Sequence, residues 1–308
     1  MGEVHDFIEA QGKKAALKFS DFERSVVEAA VAYMGDEDGG IGFLYTGWCQ
    51  AALPHKKLAD GRGWQIESER VALVIEPGMR RGPHGEPVPV GVPYGSRARL
   101  ILLYLQSEAM RTGGREVVLG KSLRNWLLRM GIPQGGNSVL VVREQAERIS
   151  RCRLTFHVSH GGRTGLVNQN IVDTAIFLEN NGSTGQGSLF VETAKLSEGF
   201  FEHLRKHPVP LEDAAIRAIN NNSMALDIYA WLAYRLHVLP NPRPITWKAL
   251  KAQFGAGYGR QDNFIRKFCD SMRLAMAVYP AARVEMNDSG LVLHPSRPPV
   301  APKQLALR

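Results

Sequence analysis

The sequence has little thiol chemistry to offer. Its 308 residues include three cysteines, Cys49, Cys152 and Cys269, far apart and never as Cys-x-x-Cys. A thiolate zinc site or a disulfide framework is therefore not expected, and a reducing cytoplasm fits. Long apolar runs are missing as well. The longest, such as Leu100 to Leu105, fall well short of the roughly 18 residues a membrane helix needs, so no membrane partner is expected. The first residues, Met1 to Asp6, carry no cationic start followed by an apolar stretch, so no secretory signal is expected.

Catalytic signatures are equally scarce. No Gly-x-x-x-x-Gly-Lys-Ser/Thr run occurs, which leaves a P-loop ATPase without its anchor. The His-hydrophobic-His pair of a strand-nicking relaxase is absent. His157 and His160 stand three residues apart and would point to opposite faces of an extended strand, so they make a poor metal pair. Gly255 to Arg260 is glycine-rich but precedes no strand–helix dinucleotide signature, and Asp36 to Asp38 lacks partners for a metal-ion nuclease. The expectation is a protein with no catalytic residue, no cofactor and no metal.

What is present is an ordinary globular composition, 44% hydrophobic and 22% charged, on a chain long enough for two domains of about 150 residues. Thirty-eight Lys and Arg stand against 30 Asp and Glu, a net +8, which favours a polyanionic partner.

Ser20-Asp21-Phe22-Glu23 reads as a capping box opening a helix from about Ser20 to Met34, with Phe22, Val26, Ala30 and Tyr33 on one face. From Gly40 to Tyr94, glycine, proline and short apolar runs predict two to four strands, with a turn at Arg80 to Gly85. An ordered series follows. Arg97 to Arg111 reads as a helix, Glu116 to Leu119 as a strand, Ser122 to Met130 as a helix burying Leu123, Trp126, Leu127 and Met130. Asn137 to Arg151 reads as a third helix, then Leu154 to Val158 and Asn170 to Leu178 as a hairpin. Helix, strand, helix, turn, helix and hairpin is the order of a winged helix-turn-helix.

The series returns near the C-terminus. Ser223 to Leu239 is a helix, Ile245 is strand-like, Thr246 caps a helix to Phe254, Arg260 to Val278 is a third helix, and Val284 to Leu293 is a hairpin. Between the copies lie a strand, Leu189 to Thr193, two short helices, Ser197 to Lys206 and Leu211 to Ile219, and an exposed loop, Asn180 to Gly187. The predicted fold class is α+β: two tandem winged helix-turn-helix domains with an N-terminal helix and a small inserted β region. The expected division is an N-terminal arm over 1–39, a first domain over 40–195, a second over 196–294, and a disordered basic, proline-rich tail over 295–308.

A helix fits the major groove of B-DNA, and its polar face must then be separate from its core face. In the second copy Phe264, Ile265, Phe268, Met272 and Ala275 supply the core, leaving Arg260, Asn263, Arg266, Lys267, Asp270 and Arg273 outside. Arg260, Asn263 and Lys267 share a face, with Tyr258 in the preceding turn within reach of the backbone. Arg pairs with guanine and Asn with adenine through two hydrogen bonds each. In the first copy Val142, Ala146, Ile149 and Cys152 make the core stripe, and Arg143, Arg148 and Arg151 lie outside it with Glu144 and Glu147. The two acids dilute the patch, so phosphate positioning is the better expectation there, extended by Lys121 and Arg124 and by His160 and Arg163 on the wing. A solvated charged face, or a module that binds protein, is the alternative for this copy.

Three runs carry a family resemblance: Gly42-Phe43-Leu44-Tyr45-Thr46-Gly47-Trp48-Cys49-Gln50-Ala51-Ala52-Leu53-Pro54-His55-Lys56-Lys57, Val92-Pro93-Tyr94-Gly95-Ser96-Arg97-Ala98-Arg99-Leu100, and Arg143 to Leu154. They resemble plasmid-encoded RepA replication initiators, over about Gly42 to Pro295 and most strongly from Gly42 to His157. The resemblance implies a bacterial plasmid protein similar to the tandem winged-helix initiators. These bind repeated double-stranded origin sites, help open an adjacent AT-rich segment, and recruit the host initiator and replicative helicase. It also implies a homodimer through the first winged helix when such a protein represses its own promoter. A winged-helix transcriptional repressor is the alternative, and a relaxase or nuclease a remoter one. Repeats beside an AT-rich segment separate initiator from repressor, and a nicking assay exposes the third.

Overall fold

The computed structural model describes residues 3–68, 71–133, 135, 137–160, 163–180 and 188–301. The chain forms two compact units: a terminal unit of residues 1–42, 48–50 and 209–308, and a central unit of 43–47 and 51–208. In chain order the elements are α1 (Glu3–Gln11), α2 (Lys13–Ala16), α3 (Arg24–Met34), β1 (Ile41–Tyr45), α4 (Thr46–Gln50), β2 (Trp64–Glu67), β3 (Val71–Glu76), β4 (Gly78–Arg81), β5 (Pro87–Gly91), α5 (Gly95–Thr112), β6 (Glu116–Val118), α6 (Gly120–Arg129) and α7 (Asn137–Arg151). They continue as β7 (Arg153–His160), β8 (Arg163–Asn170), β9 (Val172–Asn180), β10 (Ser188–Leu196), α8 (Glu198–Lys206), β11 (Pro208–Glu212), α9 (Asp213–Ile219), α10 (Ser223–Arg235), β12 (Arg243–Thr246), α11 (Trp247–Phe254), α12 (Gln261–Ala277), β13 (Val284–Asn287) and β14 (Gly290–Leu293).

The central unit is organised around α5, whose residues from Ala98 to Gln106 are all buried because apolar side chains stand on every face of that run. One polar residue among them, Gln106, is satisfied at both ends: its Oε1 accepts from Tyr45 N at 2.7 Å and its Nε2 donates to Leu102 O at 2.8 Å. The other, Arg99, staples the start of α5 by donating to Leu53 O and Gly95 O, both at 2.8 Å. Leu123, Trp126, Leu127 and Met130 are buried at the spacing the sequence predicts. Strands β6, β10 and β9 form an antiparallel sheet in that order, and β2, β3, β7 and β8 a second one.

The terminal unit repeats this order on a different core. Thr246 caps α11, its Oγ1 accepting from Ala249 N at 3.3 Å. Ring contacts join Trp231 to Phe254, and Trp247, Phe254 and Phe264 to Phe268. Strands β12, β14 and β13 form the sheet in that order. In both units, then, helix, strand, helix and helix are followed by strands, two in the terminal unit and four in the central one, and in the three-stranded sheet of each the first strand pairs with the last, which pairs with the middle one.

Four expectations change. The capping box does not form: Ser20 donates to the Asp21 carboxylate and α3 starts at Arg24, because Glu23 is drawn instead to the Arg273 guanidinium at 2.9 Å. With that contact, and with His5 Nε2 bonded to Ala277 O at 2.8 Å, the N-terminal helices belong to the terminal unit rather than standing as an arm. The expected hairpin exchanges partners. Strand β7 pairs with β8 and with the inserted β3, where Leu73, Ile75, Leu154 and Phe156 bury one apolar layer, and β9 pairs with β10 instead. The tail expected to be disordered is held as far as residue 301. Tyr279 Oη donates to Arg297 O at 2.6 Å, Arg283 N to Ser296 Oγ at 3.0 Å, and Val300 is buried. The loop expected over 180–187 lies, from residue 181 on, outside the described residues, as do residues 302–308 of the tail.

Candidate nucleic-acid interface

Helix α12 separates its faces as amphipathic spacing dictates. Phe264, Phe268, Met272 and Ala275 are fully buried, while Asn263, Arg266 and Lys267 are exposed. The turn before it is drawn tight: a Cβ at Gly255 would lie 2.6 Å from the Phe264 ring, so only glycine lets α11 and α12 approach this closely. Lys251 Nζ closes the turn by donating to Gly259 O at 3.0 Å. Tyr258 is half-buried against Phe264, with ring centroids 5.8 Å apart, and burial raises its phenol pKa.

Within this face the predicted residues are not equivalent. Arg260 is exposed but extended at the N-cap of α12, ahead of the helix, and donates to Asp262 Oδ1 at 3.0 Å. It therefore stands outside the helical register expected of it with Asn263 and Lys267. Arg266 donates to Asn263 Oδ1 at 3.1 Å, and Lys267 lies 3.9 Å from the Asp270 carboxylate. Arg273 is turned toward the N-terminal segment, paired with Glu23 at 2.9 Å and Asp270 at 3.5 Å. Asn263, Arg266 and Lys267 thus make the polar centre of the face.

In the central unit, α7 divides along its length. Its C-terminal half clamps the inserted β region. Arg148, expected outside the core, is buried with 3% of its side chain exposed. Its Nη1 donates to Val92 O at 3.1 Å, its Nη2 to Asp60 at 2.8 Å and to Glu144 at 2.9 Å, and its guanidinium lies 5.3 Å from the centre of the Tyr94 ring. Gly91, at a positive φ of 79°, is needed there because a Cβ would strike Arg148 Nη1. This corrects the expectation of a DNA contact: the guanidinium is enclosed by its own fold. Arg151 is partly enclosed too, ion-paired with Glu147 at 3.3 Å and donating to Met79 O at 3.2 Å.

The acids expected to dilute the patch are spent in the same clamp. Glu144 accepts from Lys57 at 3.1 Å and from Tyr94 Oη at 3.2 Å as well as from Arg148, and Glu147 lies 3.8 Å from Arg80. Burial opposes ionisation of Glu144, but Lys57 and Arg148 together hold its carboxyl below the usual range.

The N-terminal half of α7 is different. Lys121 and Arg124 on α6 are exposed, and Arg143 on α7 is partly so. Burial lowers the Arg143 pKa first, and the Arg124 charge lowers it further. Sequence reasoning passed over two exposed leucines on these helices. Leu140 and Leu128 are 60% and 50% exposed, though apolar runs are ordinarily assigned to a core. Arg163 stands in β8 and His160 in β7, but their side chains lie outside the described residues. No helix among the described residues is long and apolar enough to cross a membrane.

Among solved structures the chain is similar to the selenomethionine crystal structure of domains 2 and 3 of RctB. The TM-score is 0.52 at 10% identity, over 83% of this chain and 99% of that one. A second structure of RctB domains 2–3 aligns at a TM-score of 0.45 and 10% identity, over 80% and 93% of the two chains. At this identity the likeness speaks for the fold. No curated protein matches the sequence significantly. The family model described as plasmid encoded RepA protein matches residues 92–248, from the end of the inserted β region through α5, α6 and α7 to the start of α11. As that match spans just over half of its length, the chain belongs to the family of plasmid-encoded RepA proteins.

Proposed function

We propose that the protein is a plasmid replication initiator that binds repeated double-stranded sites at its origin through two tandem winged helix-turn-helix units. The observation that carries this reading is α12, where Asn263, Arg266 and Lys267 form an exposed polar face on a helix whose opposite side is locked by Phe264, Phe268 and Met272. Such a helix presents bidentate-capable and cationic groups to a major groove while its core fixes their positions. The matching strand order of the two sheets supports the winged reading of both units, and family membership supports the setting at a plasmid origin.

Two DNA-docking units on one chain raise the effective concentration of each for a neighbouring site, so moderate affinities combine. Each neutralised phosphate releases counterions, so binding falls steeply with salt. Once seated on repeats, the protein opens the adjoining AT-rich segment and recruits the host initiator and helicase. Footprinting on the DNA flanking the gene tests this. Direct repeats protected beside an AT-rich segment are the expected result. A lone palindrome assigns the protein to transcriptional repression, and the absence of any protected duplex overturns the reading.

A further inference from the structure

The polar side of α12 extends beyond its centre. Arg273 follows Arg266 by two turns and falls within about 20° of the same line along the helix. Asp270 stands between them, one turn from each. Asn263, Arg266, Lys267, Asp270 and Arg273 therefore share one side of α12, and none of the five is buried. Yet the last cation of this row is turned aside. Arg273 Nη1 donates to Glu23 Oε1 at 2.9 Å and lies 3.5 Å from the Asp270 carboxylate.

Glu23 is held on a firm support. It is the N-cap of α3, which packs along α12 and buries Val26 and Val27. The rings of Phe7, Phe19 and Phe22 cluster ahead of it with centroids 5.0 to 5.5 Å apart. His5, buried, bonds Ala277 O at the far end of α12. The Glu23 side chain makes no cap hydrogen bond to α3, so its carboxylate serves Arg273 rather than its own helix.

A carboxylate and a phosphate compete for a guanidinium, because both are oxyanions that accept from the same N–H fork. A phosphate reaching Arg273 must displace Glu23 or lie beside it, where like charges repel. Both members of the pair are half-exposed, so water and salt keep it weak. Such a pair shifts an equilibrium by about two- to fivefold, which hinders a phosphate without excluding it.

We propose that Glu23 is a built-in competitor of DNA: its carboxylate occupies Arg273, and a backbone phosphate beside the site read by α12 gains that guanidinium only by displacing it. The inference rests on the proposed DNA binding through α12. It makes the N-terminal segment a brake on the affinity of that helix. Linkage runs the other way as well, so DNA that takes Arg273 loosens the hold of Glu23 by the same factor.

The test is a double-mutant cycle in the full chain. Dissociation constants are measured at low salt on a duplex selected by the protein from a random-sequence pool and on an unrelated duplex. Glu23→Gln keeps the shape of the side chain and removes its charge. It should bind both duplexes about two- to fivefold more tightly than the wild type, since a phosphate contact carries no sequence information. Arg273→Gln should weaken both. In the Arg273→Gln background the gain from Glu23→Gln should vanish, because the competitor then has nothing to withhold. Both variants should melt close to the wild type, as a half-exposed pair adds little to stability. Unchanged affinity in Glu23→Gln overturns the inference and leaves DNA binding intact. A gain that persists in the Arg273→Gln background reduces Glu23 to a negative charge near the duplex and overturns it too. Failure of the wild type to select any duplex overturns the proposed function itself.

Discussion

Replacing Arg148 by Ala removes the centre of a buried polar clamp. The guanidinium bonds Val92 O, Asp60 and Glu144 within 3.1 Å and stacks on Tyr94, tying α7 to both the loop before β2 and the end of β5. Breaking one side of a buried ion pair costs about 3–5 kcal/mol. The lower end applies here. Asp60 is 48% exposed and Glu144 32%, so both carboxylates can regain water, and Glu144 keeps Lys57. Arg148→Ala should therefore destabilise the central unit by about 3 kcal/mol. Urea unfolding measures this, on whichever transition the substitution moves, since a chain of two units need not unfold in one step. Under conditions where the variant is fully folded, its affinity for DNA should equal that of the wild type. Unchanged stability with weakened DNA binding would refute the reasoning and return Arg148 to the nucleic-acid surface.

Three further outcomes are expected. Asn263→Ala should weaken specific binding by about 1–3 kcal/mol and relax one position of the site, whereas Lys267→Ala, if Lys267 holds a phosphate, should weaken all duplexes alike and reduce the salt slope by about one; titrations at several salt concentrations distinguish them. Phe268→Ala should cost about 3–5 kcal/mol in thermal or urea unfolding, because the ring is fully buried against Trp247, Phe254 and Phe264. Burial raises the Glu212 pKa, against the opposing hydrogen bond from Tyr33 Oη at 2.8 Å. A carboxyl raised in the folded state contributes stability that is full below its unfolded value, near 4.5, and is lost as pH rises through the folded one. Glu212→Gln, which still accepts from Tyr33, should accordingly stabilise the terminal unit at pH 7 and flatten its pH dependence above about 4.5, as read from melting temperatures across that range.

Local signals were read well where local physics decides the structure. Helix α7 runs from Asn137 to Arg151 as its turn-forming flanks suggest, Thr246 caps α11, and β13 and β14 meet at the Asn287–Ser289 turn. Asn287 Oδ1 accepts from the backbone of Ser289 and Gly290 there, an interaction that depends on three neighbouring residues alone. Long-range pairings overrode local ones elsewhere. Glu23 is within reach of a capping role yet meets Arg273, some 250 residues away in sequence. The hairpin partner of β7 depended on whether β3 would claim its apolar face, which no window around β7 reveals.

The candidate interface shows the same division. The phase of α12 was legible because its core residues recur at helical spacing. The role of Arg148 was not, since periodicity places it outside the stripe and only the inserted β region encloses it. Leu140 carries no such signal either: nothing in the sequence around it marks an apolar helical residue as one that faces solvent.

DNase I footprinting of the full chain on the DNA flanking its gene, repeated with Asn263→Ala, bears most directly on the tandem DNA-docking design. Regularly spaced direct repeats should be protected by the wild type, and the variant should lose protection at one position within each repeat. No protection at low salt, or identical footprints from the two proteins, would contradict it.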